Sequence, residues 1–294
     1  MISLDCEGKW GMADDPRILE DDSINRRSLQ EAYDMLLRLL QIHQLRATFA
    51  VVGLYVAGYE RTLEHLNLVK GDTCHESWLK IPKRAMTTGR HSGWFYEDLP
   101  LRIANSGYHE LASHGFSHLP FCSEGFDEST AMFELASMND LARDRGWDIE
   151  SMVFPRNEVK FTNLLTRYGI HRYRLRSGAG GPLVRLSSLI SELKLGMKSE
   201  AVPTRSGCIP AGVFLNWRSG ARRLIPQQVT IERWQNILEH AKENDQVAHI
   251  WFHPHNLITG HRQCELVTEL LTVSGEFVRR GTLQSSTFKD VQRG

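Results

Sequence analysis

The sequence lacks a surplus of charge of either sign. Its 294 residues include 35 Lys and Arg and 35 Asp and Glu, so the formal net charge is zero. Chains that bind nucleic acid or anionic membrane surfaces commonly carry a basic excess, so no nucleic acid or membrane surface is expected as a partner. A local basic patch could still form from Arg172, Arg174, Arg176 and Arg185.

The sequence also lacks the features of membrane, secreted and disulfide-rich proteins. No apolar run approaches the roughly 18 residues of a membrane-spanning helix, so no integral membrane segment is expected. The opening Met-Ile-Ser-Leu-Asp-Cys-Glu carries acids where a signal peptide needs an apolar stretch. The five cysteines are odd in number and form no C-x-x-C pair, which favours a reducing compartment. We therefore expect a cytoplasmic protein.

Short apolar segments alternate along the chain with segments of helical periodicity. Such alternation indicates an α/β fold with a parallel sheet, either a barrel or a doubly wound sheet. No repeat or linker divides the chain, so one domain over 1–294 is expected. Strands are predicted at 2–6, 47–52, 109–113, 151–154, 171–175, 213–217 and 247–252, and helices at 25–44, 59–70, 128–145, 160–168, 230–244 and 262–273.

The stretch 71–98 interrupts this alternation. It mixes Gly, Lys, Arg and His with aromatic residues at Trp94, Phe95 and Tyr96. The pattern predicts an insertion or a long loop, either a surface excursion or a functional segment, because long loops in compact domains often carry function. Trp94 and Tyr96 are therefore candidate substrate contacts.

Asp5 and Glu7 lie at the end of the first predicted strand. Side chains two apart point to the same side of a strand, so both carboxylates would project into one space. Two like charges there are costly unless a cation or a shared proton intervenes. Sites in parallel α/β folds are built at the carboxyl ends of the strands. The pair is thus either part of a site or a solvated strand end.

His114 and His118 directly follow the third predicted strand. At a spacing of four residues they would share a face if this segment begins a helix. Two histidines and one carboxylate, with positions left open for water, are a usual ligand set for catalytic zinc. The combination of these histidines with the acidic pair indicates a metal site.

Two further strand ends carry candidate residues. Arg156 could hold a carboxylate through two parallel hydrogen bonds, or lie on the surface. His253 ends an apolar strand and, as a group that titrates near neutral pH, could act as an acid or a base. His249 and His255 lie two residues to either side, so the sequence leaves open which imidazole faces the site.

These segments, in this order, resemble the motifs of the NodB-homology polysaccharide deacetylases, over residues 2 to about 257. The resemblance implies a distorted (β/α) barrel, commonly with seven strands. The stretch from His109 to His118 looks like the histidine motif in full, and Asp5-Cys6-Glu7 looks like a divergent carboxylate pair. The family's arginine motif resembles, in reduced form, Phe154-Pro155-Arg156-Asn157. Its tryptophan motif resembles Phe214-Leu215-Asn216-Trp217, and its final histidine motif resembles Trp251-Phe252-His253-Pro254.

The resemblance implies a metal site made of Glu7, His114 and His118. Zinc is the expected divalent ion, and cobalt, iron and nickel are alternatives. The family's acidic pair usually reads Asp-Asp, whereas here Glu7 is longer and one residue further along. The geometry at Glu7 is therefore expected to differ.

The resemblance also implies the catalytic roles. Asp5 would be the general base, Arg156 would orient Asp5, and His253 would be the general acid. Asn157 and Trp217 join the aromatic residues of 71–98 as candidate substrate contacts.

The implied activity is a metal-dependent hydrolase that removes an N-acyl group, acetyl or formyl, from an amino sugar. Without a secretion signal, the expected substrate is a small molecule or a lipid- or nucleotide-linked sugar, as in surface-polysaccharide, lipopolysaccharide or O-antigen biosynthesis. Two alternatives remain open: a hydrolase of a small non-sugar amide on the same fold, and a catalytically inactive binding relative.

Overall fold

A computed structural model describes residues 1–176 and 207–292. The predicted basic residue Arg185 lies outside the described residues. The described chain contains an eight-stranded parallel sheet with the strand order β6-β5-β4-β3-β2-β1-β8-β7. The strands are β1 Ile2–Cys6, β2 Thr48–Val51, β3 Glu110–Ser113, β4 Ser151–Met152, β5 Arg172–Arg174, β6 Cys208–Ile209, β7 Val213–Phe214 and β8 Ile250–Phe252.

The predicted α/β fold is confirmed, with one strand more than expected. Seven of the strands coincide with predicted ones, and β6 was missed because it has two residues in a segment rich in Gly and Pro.

None of the helices in the described ranges is both long and apolar enough to cross a membrane. These helices are α1 Arg26–Ile42, α2 Gly53–Ala57, α3 Tyr59–Leu68, α4 Thr73–Trp78, α5 Lys80–Thr87, α6 Leu99–Ser106, α7 Glu128–Arg145, α8 Gln227–Asn244, α9 Asn256–Thr259 and α10 Gln263–Arg279.

The two edge strands of the sheet are neighbours in the sequence. Only the three residues from Pro210 to Gly212 separate β6 from β7, which lie at opposite ends of the strand order. An extended chain spans at most about 3.6 Å per residue, so the two edges are within about 14 Å of each other there. The sheet therefore curls into a nearly closed barrel.

The connection between the edge strands is fixed to strand β8 through His249. The His249 Nδ1 lies 2.7 Å from the Pro210 carbonyl oxygen, and the Val213 N–H donates to the His249 carbonyl at 2.8 Å. Gly212 has a φ of +71°, and a Cβ at this position would overlap the His249 ring. A glycine is therefore required where the chain turns across the end of the barrel.

Strand β1 lies between β2 and β8, and all five of its residues are buried. Its apolar residues Leu4 and Cys6 belong to the main core, as expected for a parallel strand that is covered on both faces. Helix α1 packs Leu29, Tyr33 and other residues of its apolar stripe into the same core. The core thus fixes the strand that ends in the acidic pair.

Half of the segment 71–98 is helical, in α4 and α5, so the expectation of a long loop is wrong there, while its being an insertion stays a prediction. Helix α5 buries Pro82, Ala85 and Met86 along one side. This spacing of three and four residues is typical of a helix and could have indicated one. The many charged residues of the segment lie on the exposed faces of short amphipathic helices.

Candidate active site

The carboxyl end of the barrel contains a cavity of about 510 Å³. Strand β1 delivers Asp5 and Glu7 to it, β3 leads into His114 and His118, and β8 leads into His253. Because parallel strands end at the same edge, residues far apart in the sequence meet in this cavity. These five residues, which the sequence singled out, are therefore brought together, and the candidates Arg156, Asn157 and Trp217 line the same cavity.

Glu7, His114 and His118 form a compact buried triad. The Glu7 Oε2 atom is 3.2 Å from His114 Nε2 and 2.8 Å from His118 Nε2, and the two Nε2 atoms are 3.2 Å apart. Ligands of a tetrahedral zinc ion with bonds of 2.0 to 2.2 Å lie about 3.3 Å from one another. The three side chains therefore fit a divalent ion, and the longer Glu7 reaches the histidines despite its shifted position.

The two imidazoles are held by different means. The His114 Nδ1 lies 2.8 Å from the Val153 carbonyl oxygen, so Nδ1 carries the proton and the Nε2 lone pair faces the triad. The segment 114–118 is irregular and His118 has a φ of +59°, so the expectation that it begins a helix is wrong. The left-handed residue, rather than a helical turn, directs the second imidazole toward the first.

Asp5 is held by Arg174 on β5. The Arg174 Nη1 donates to Asp5 Oδ1 at 2.8 Å and Nη2 donates to Oδ2 at 2.7 Å, with both side chains buried. Arg156 instead pairs with Asp14 on the rim at 2.6 Å and contacts the Trp78 ring. Arg156 lines the cavity but makes no hydrogen bond to Asp5 among the described contacts, so the structure places Arg174, not Arg156, in the expected orienting position.

Arg174 is itself held by three further neighbours. Its guanidinium donates to Asn157 Oδ1 at 2.7 and 3.1 Å and to Ser3 Oγ at 3.2 Å, and it lies 3.9 Å from the centre of the Trp251 ring. The Ser3 hydroxyl is in turn 2.9 Å from His249 Nε2. Burial, followed by the nearby Arg174, lowers the pKa of His249 to about 3. His249 is therefore neutral and accepts from Ser3.

His253 faces both carboxylates across the cavity. Its Nε2 atom is 3.4 Å from Glu7 Oε1 and 3.9 Å from Asp5 Oδ2, and 21% of its side chain is exposed. His255 is buried beside it, with the two rings stacked at 5.2 Å. His249 lies behind the site in the Arg174 network. Of the three imidazoles that the sequence left open, His253 is the partly exposed one beside both acids, His255 lines the cavity while buried, and His249 does not line it.

Charges in the site shift the titration of its members. Burial alone would raise the pKa of Asp5, but the Arg174 guanidinium, with His114 and His253, lowers it below its usual value. Burial likewise opposes ionisation of Glu7, yet His253 and His118 hold the pKa of Glu7 well below the ordinary range. Both carboxylates are thus ionised at neutral pH, the state in which a carboxylate can bind a cation or accept a proton.

The imidazoles of the triad respond in opposite directions. Burial lowers the pKa of His118, and it acts against protonation of His114 as well. Near His114, however, Asp5 and Glu7 outweigh burial and raise the pKa. The pair of carboxylates therefore attracts positive charge to the position that a cation would occupy.

The four candidate substrate contacts divide into two pairs. Asn157 and Trp217 line the cavity, and 44% of Trp217 is exposed. Trp94 and Tyr96 are buried in the core, where Trp94 packs edge-on against Trp10 and Tyr96 stacks on Tyr33. They do not line the cavity, so the expectation that they contact substrate is wrong. Burial against Trp10 and Tyr33 accounts for both aromatic side chains without a ligand.

The loop that carries His118 is braced from behind by Glu134 on α7. This buried carboxylate accepts from the Phe116 and Ser117 N–H groups at 3.2 and 2.9 Å and from the Ser117 hydroxyl at 2.7 Å. His75 on α4 lies 3.2 Å from the same carboxylate, and Trp78 donates to the Ser117 carbonyl at 3.0 Å. Helix α4 thus contributes to the site by supporting it.

Sequence reasoning gave Ser3, Glu134 and Arg174 no part in the site; it named Arg174 only within a possible basic patch and left His249 open as one of three imidazoles. Arg174 ends a predicted strand, and that position could have identified it, since the carboxyl ends of parallel strands share one edge. Ser3 has the same strand parity as Asp5 and so points to the same side. Glu134 lies in a predicted helix with no sequence signal that connects it to the histidine loop.

No family model matches the sequence, and no curated protein matches it. The whole chain aligns with 92% of a Mycobacterium smegmatis protein assigned to the polysaccharide deacetylases, at 16% identity and a TM-score of 0.50. It also aligns, over 98% of its length, with 86% of the Xyl-CE4 domain of a multidomain xylanase from the hindgut metagenome of Trinervitermes trinervoides, at 12% identity and a TM-score of 0.42.

A third solved structure is a CE4 family pseudoenzyme from Bacillus anthracis, of which the whole chain covers 66% at 12% identity and a TM-score of 0.47. The likeness to the Mycobacterium smegmatis structure confirms the fold that the sequence resemblance implied. This chain therefore has the fold of the NodB-like polysaccharide deacetylases, at low sequence identity.

Proposed function

We propose that this protein is a metal-dependent hydrolase that removes an N-acyl group, acetyl or formyl, from an amino sugar. The observation that carries the proposal is the convergence of Glu7, His114 and His118 on one point beside Asp5, whose two oxygens are held by Arg174. A carboxylate with two imidazoles is a ligand set for a catalytic divalent ion. The adjacent ionised carboxylate provides a base.

The triad would hold the ion, which we take to be zinc, with cobalt, iron or nickel as alternatives. Such an ion supplies Lewis acidity, which polarises the acyl carbonyl and acidifies the attacking water. The His114 tautomer is already set for this role, because its Nδ1 proton is committed to Val153. Little reorganisation of the ligands is therefore required.

Asp5 would accept the proton of the attacking water. Arg174 keeps Asp5 ionised and fixes the direction of its lone pairs, although the same ion pair lowers the basicity of the carboxylate. A weak base suffices where the water is acidified. Asp5 is thus positioned more firmly than an unpaired carboxylate at a strand end would be.

His253 would donate a proton to the departing amine. It faces Asp5 across the cavity, and its partial exposure leaves room for a substrate next to its Nε2 atom. A positioned acid or base contributes about 10²–10⁴-fold in rate. Loss of either Asp5 or His253 is therefore expected to be obvious in an assay.

The cavity wall suits a sugar. Phe214, Trp217 and Trp251 give it apolar surfaces, while Asp15 and Asp21 add acceptors for hydroxyl groups. Pyranose rings combine apolar faces with polar edges, and such a lining can contact both. The finer proposal is a lipid- or nucleotide-linked amino sugar of surface-polysaccharide or O-antigen assembly, in keeping with the cytoplasmic location expected from the sequence.

The test compares Asp5→Asn with His118→Ala in metal content and turnover of N-acyl amino sugars. Asp5→Asn is expected to retain the ion and to lose turnover by about 10²-fold or more. His118→Ala is expected to lose the ion. A parent protein that binds no zinc, or two variants that hydrolyse the substrate at the parent rate, would contradict the proposal. Hydrolysis confined to sugar-free amides would exclude the sugar specificity.

A further inference from the structure

The second carboxylate oxygen of Glu7 is not needed for its contacts with His114 and His118. Its Oε2 atom faces His114 and His118, while its Oε1 atom lies 3.4 Å from His253 Nε2. Glu7, His253 and His255 present ligand atoms that all lie within 4.8 Å of one another. Two groups of possible ligands therefore share one carboxylate, each group using a different oxygen.

His255 supplies a second and independent observation. It is 6% exposed, lines the cavity, and its Nδ1 atom has no hydrogen-bond partner among the described residues. A buried imidazole nitrogen without a hydrogen-bond partner is unfavourable unless a ligand occupies it. The stacking of His255 on His253 places both rings beside Glu7.

We propose that Glu7, His253 and His255 form a second, weaker site for a divalent cation, and that its occupation inhibits the proposed hydrolase. Glu7 would then bridge two ions, as carboxylates do in centres whose ions lie about 3.5–4 Å apart. The inference rests on the proposed function, because the inhibition follows from the acid role assigned to His253.

The charges of the site explain why the second ion binds less tightly. Asp5, Glu7 and Arg174 together carry one net negative charge. A single divalent ion in the first triad would change the net charge of the site to one positive charge. A second ion is therefore repelled by the first. His253 is also partly exposed to water, whereas both histidines of the first triad are buried.

Inhibition follows from the lone pairs of His253. An imidazole nitrogen that binds a cation cannot also carry the proton that the departing amine requires. With the first site alone filled, His253 Nε2 remains available as the acid. With both metal sites filled, His253 Nε2 binds the second ion and cannot act as the acid. Turnover is therefore expected to rise and then fall as the free zinc concentration increases.

The experiment measures bound zinc per protein by equilibrium dialysis and elemental mass spectrometry, with turnover of an N-acyl amino sugar followed over the same free zinc range. Two ions of unequal affinity are expected, with inhibition in parallel with the second. His255→Ala is expected to bind one ion and to raise the zinc concentration for half-inhibition at least about tenfold, equivalent to about 1.4 kcal/mol. The control variant His261→Ala, which changes an exposed histidine, is expected to bind two zinc ions like the parent protein.

The outcomes separate this inference from the proposed function. No bound zinc overturns both, whereas a single ion with normal turnover overturns the second site and leaves the hydrolase intact. Two ions without inhibition overturn the inhibitory role. Cobalt absorption spectra of the parent protein give a readout that needs no variant, since a second ion in a different ligand set adds a second band system. A spectrum that saturates at one equivalent overturns the inference even if His255→Ala does not fold.

Discussion

Arg174 on β5 contacts Asp5 on β1 although three strands lie between them in the sheet. Adjacent strands are about 4.8 Å apart, so the two would be about 19 Å apart in a flat sheet. Their ion pair therefore spans the interior of the curved barrel. The pair connects opposite walls at the end where the site lies.

This ion pair predicts which arginine matters for turnover. Arg174→Lys removes the two parallel hydrogen bonds to Asp5 and the bonds to Asn157, because an ammonium cannot reproduce the planar fork. We expect kcat to fall by about 10–100-fold while zinc remains bound. Steady-state kinetics and metal analysis check this.

Arg156→Lys provides the comparison, since Arg156 pairs with Asp14 on the rim. Its loss in kcat is expected to be at least about tenfold smaller than that of Arg174→Lys, because a rim ion pair contributes little. A larger effect at Arg156 would return the orienting role to that residue.

Gly11 tests the position of Glu7. A Cβ at Gly11 would overlap the Glu7 carboxylate, and Gly11 has no positive φ that would itself strain an alanine. Gly11→Ala is therefore expected to push Glu7 from the histidines and to raise the Kd for zinc. A displacement of about 1 Å can also cost about 10² in turnover.

Isothermal titration with zinc measures this effect, and circular dichroism shows whether the variant keeps its fold. Unchanged zinc affinity in a folded Gly11→Ala protein would mean that Glu7 is not a ligand.

Glu134 is expected to contribute both to stability and to zinc affinity. Glu134→Gln removes the buried charge that accepts from the histidine loop and faces His75. Breaking a buried pair costs about 3–5 kcal/mol in the free energy of unfolding, and loss of support behind a ligand costs about 10–100-fold in metal affinity. Urea denaturation and zinc titration provide the measurements.

The matched control is Glu128→Gln, which removes an exposed carboxylate from the same helix. Its effect is expected to stay within about 0.5 kcal/mol. Equal destabilisation by the two variants would contradict a specific role for Glu134.

The buried His65 makes stability depend on pH. Burial lowers the pKa of His65 from 6.5 to about 4, so the folded protein leaves it neutral where the unfolded chain protonates it. The unfolded state binds more protons than the folded state between pH 6.5 and 4, so the free energy of unfolding falls as pH falls through this window.

One proton contributes a slope of at most about 1.4 kcal/mol per pH unit. His65→Gln cannot titrate, so its free energy of unfolding should fall less steeply between pH 6 and 4.5, whatever its stability at pH 7. Urea denaturation at several pH values in this range measures both slopes. Parallel slopes for the two proteins would show that His65 is accessible to protons in the folded state.

Periodicity and strand-end position predicted most of the framework. Seven strands and the meeting of Asp5, Glu7, His114 and His118 at one edge follow from rules that involve neighbours along a strand or along the sheet. These rules are local, and the residues concerned stand next to clear apolar runs.

What the sequence could not give depends on curvature and on packing between distant segments. The choice of Arg174 over Arg156 depends on how far the barrel bends, which leaves no pattern in the sequence. The burial of Trp94 and Tyr96 depends on partners at Trp10 and Tyr33, which are far away in the chain.

The three residues that join β6 to β7 are also a place where a circular permutant is not expected to tolerate new chain termini. A circular permutant opened between Pro210 and Gly212 would lose the tether that keeps the two edges together, and would release the carbonyl that holds His249. The far wall, with Arg174, could then move away from Asp5. Permutation at a surface turn such as Gly89, where the surrounding space is open, would leave the connection between the two edges of the barrel intact.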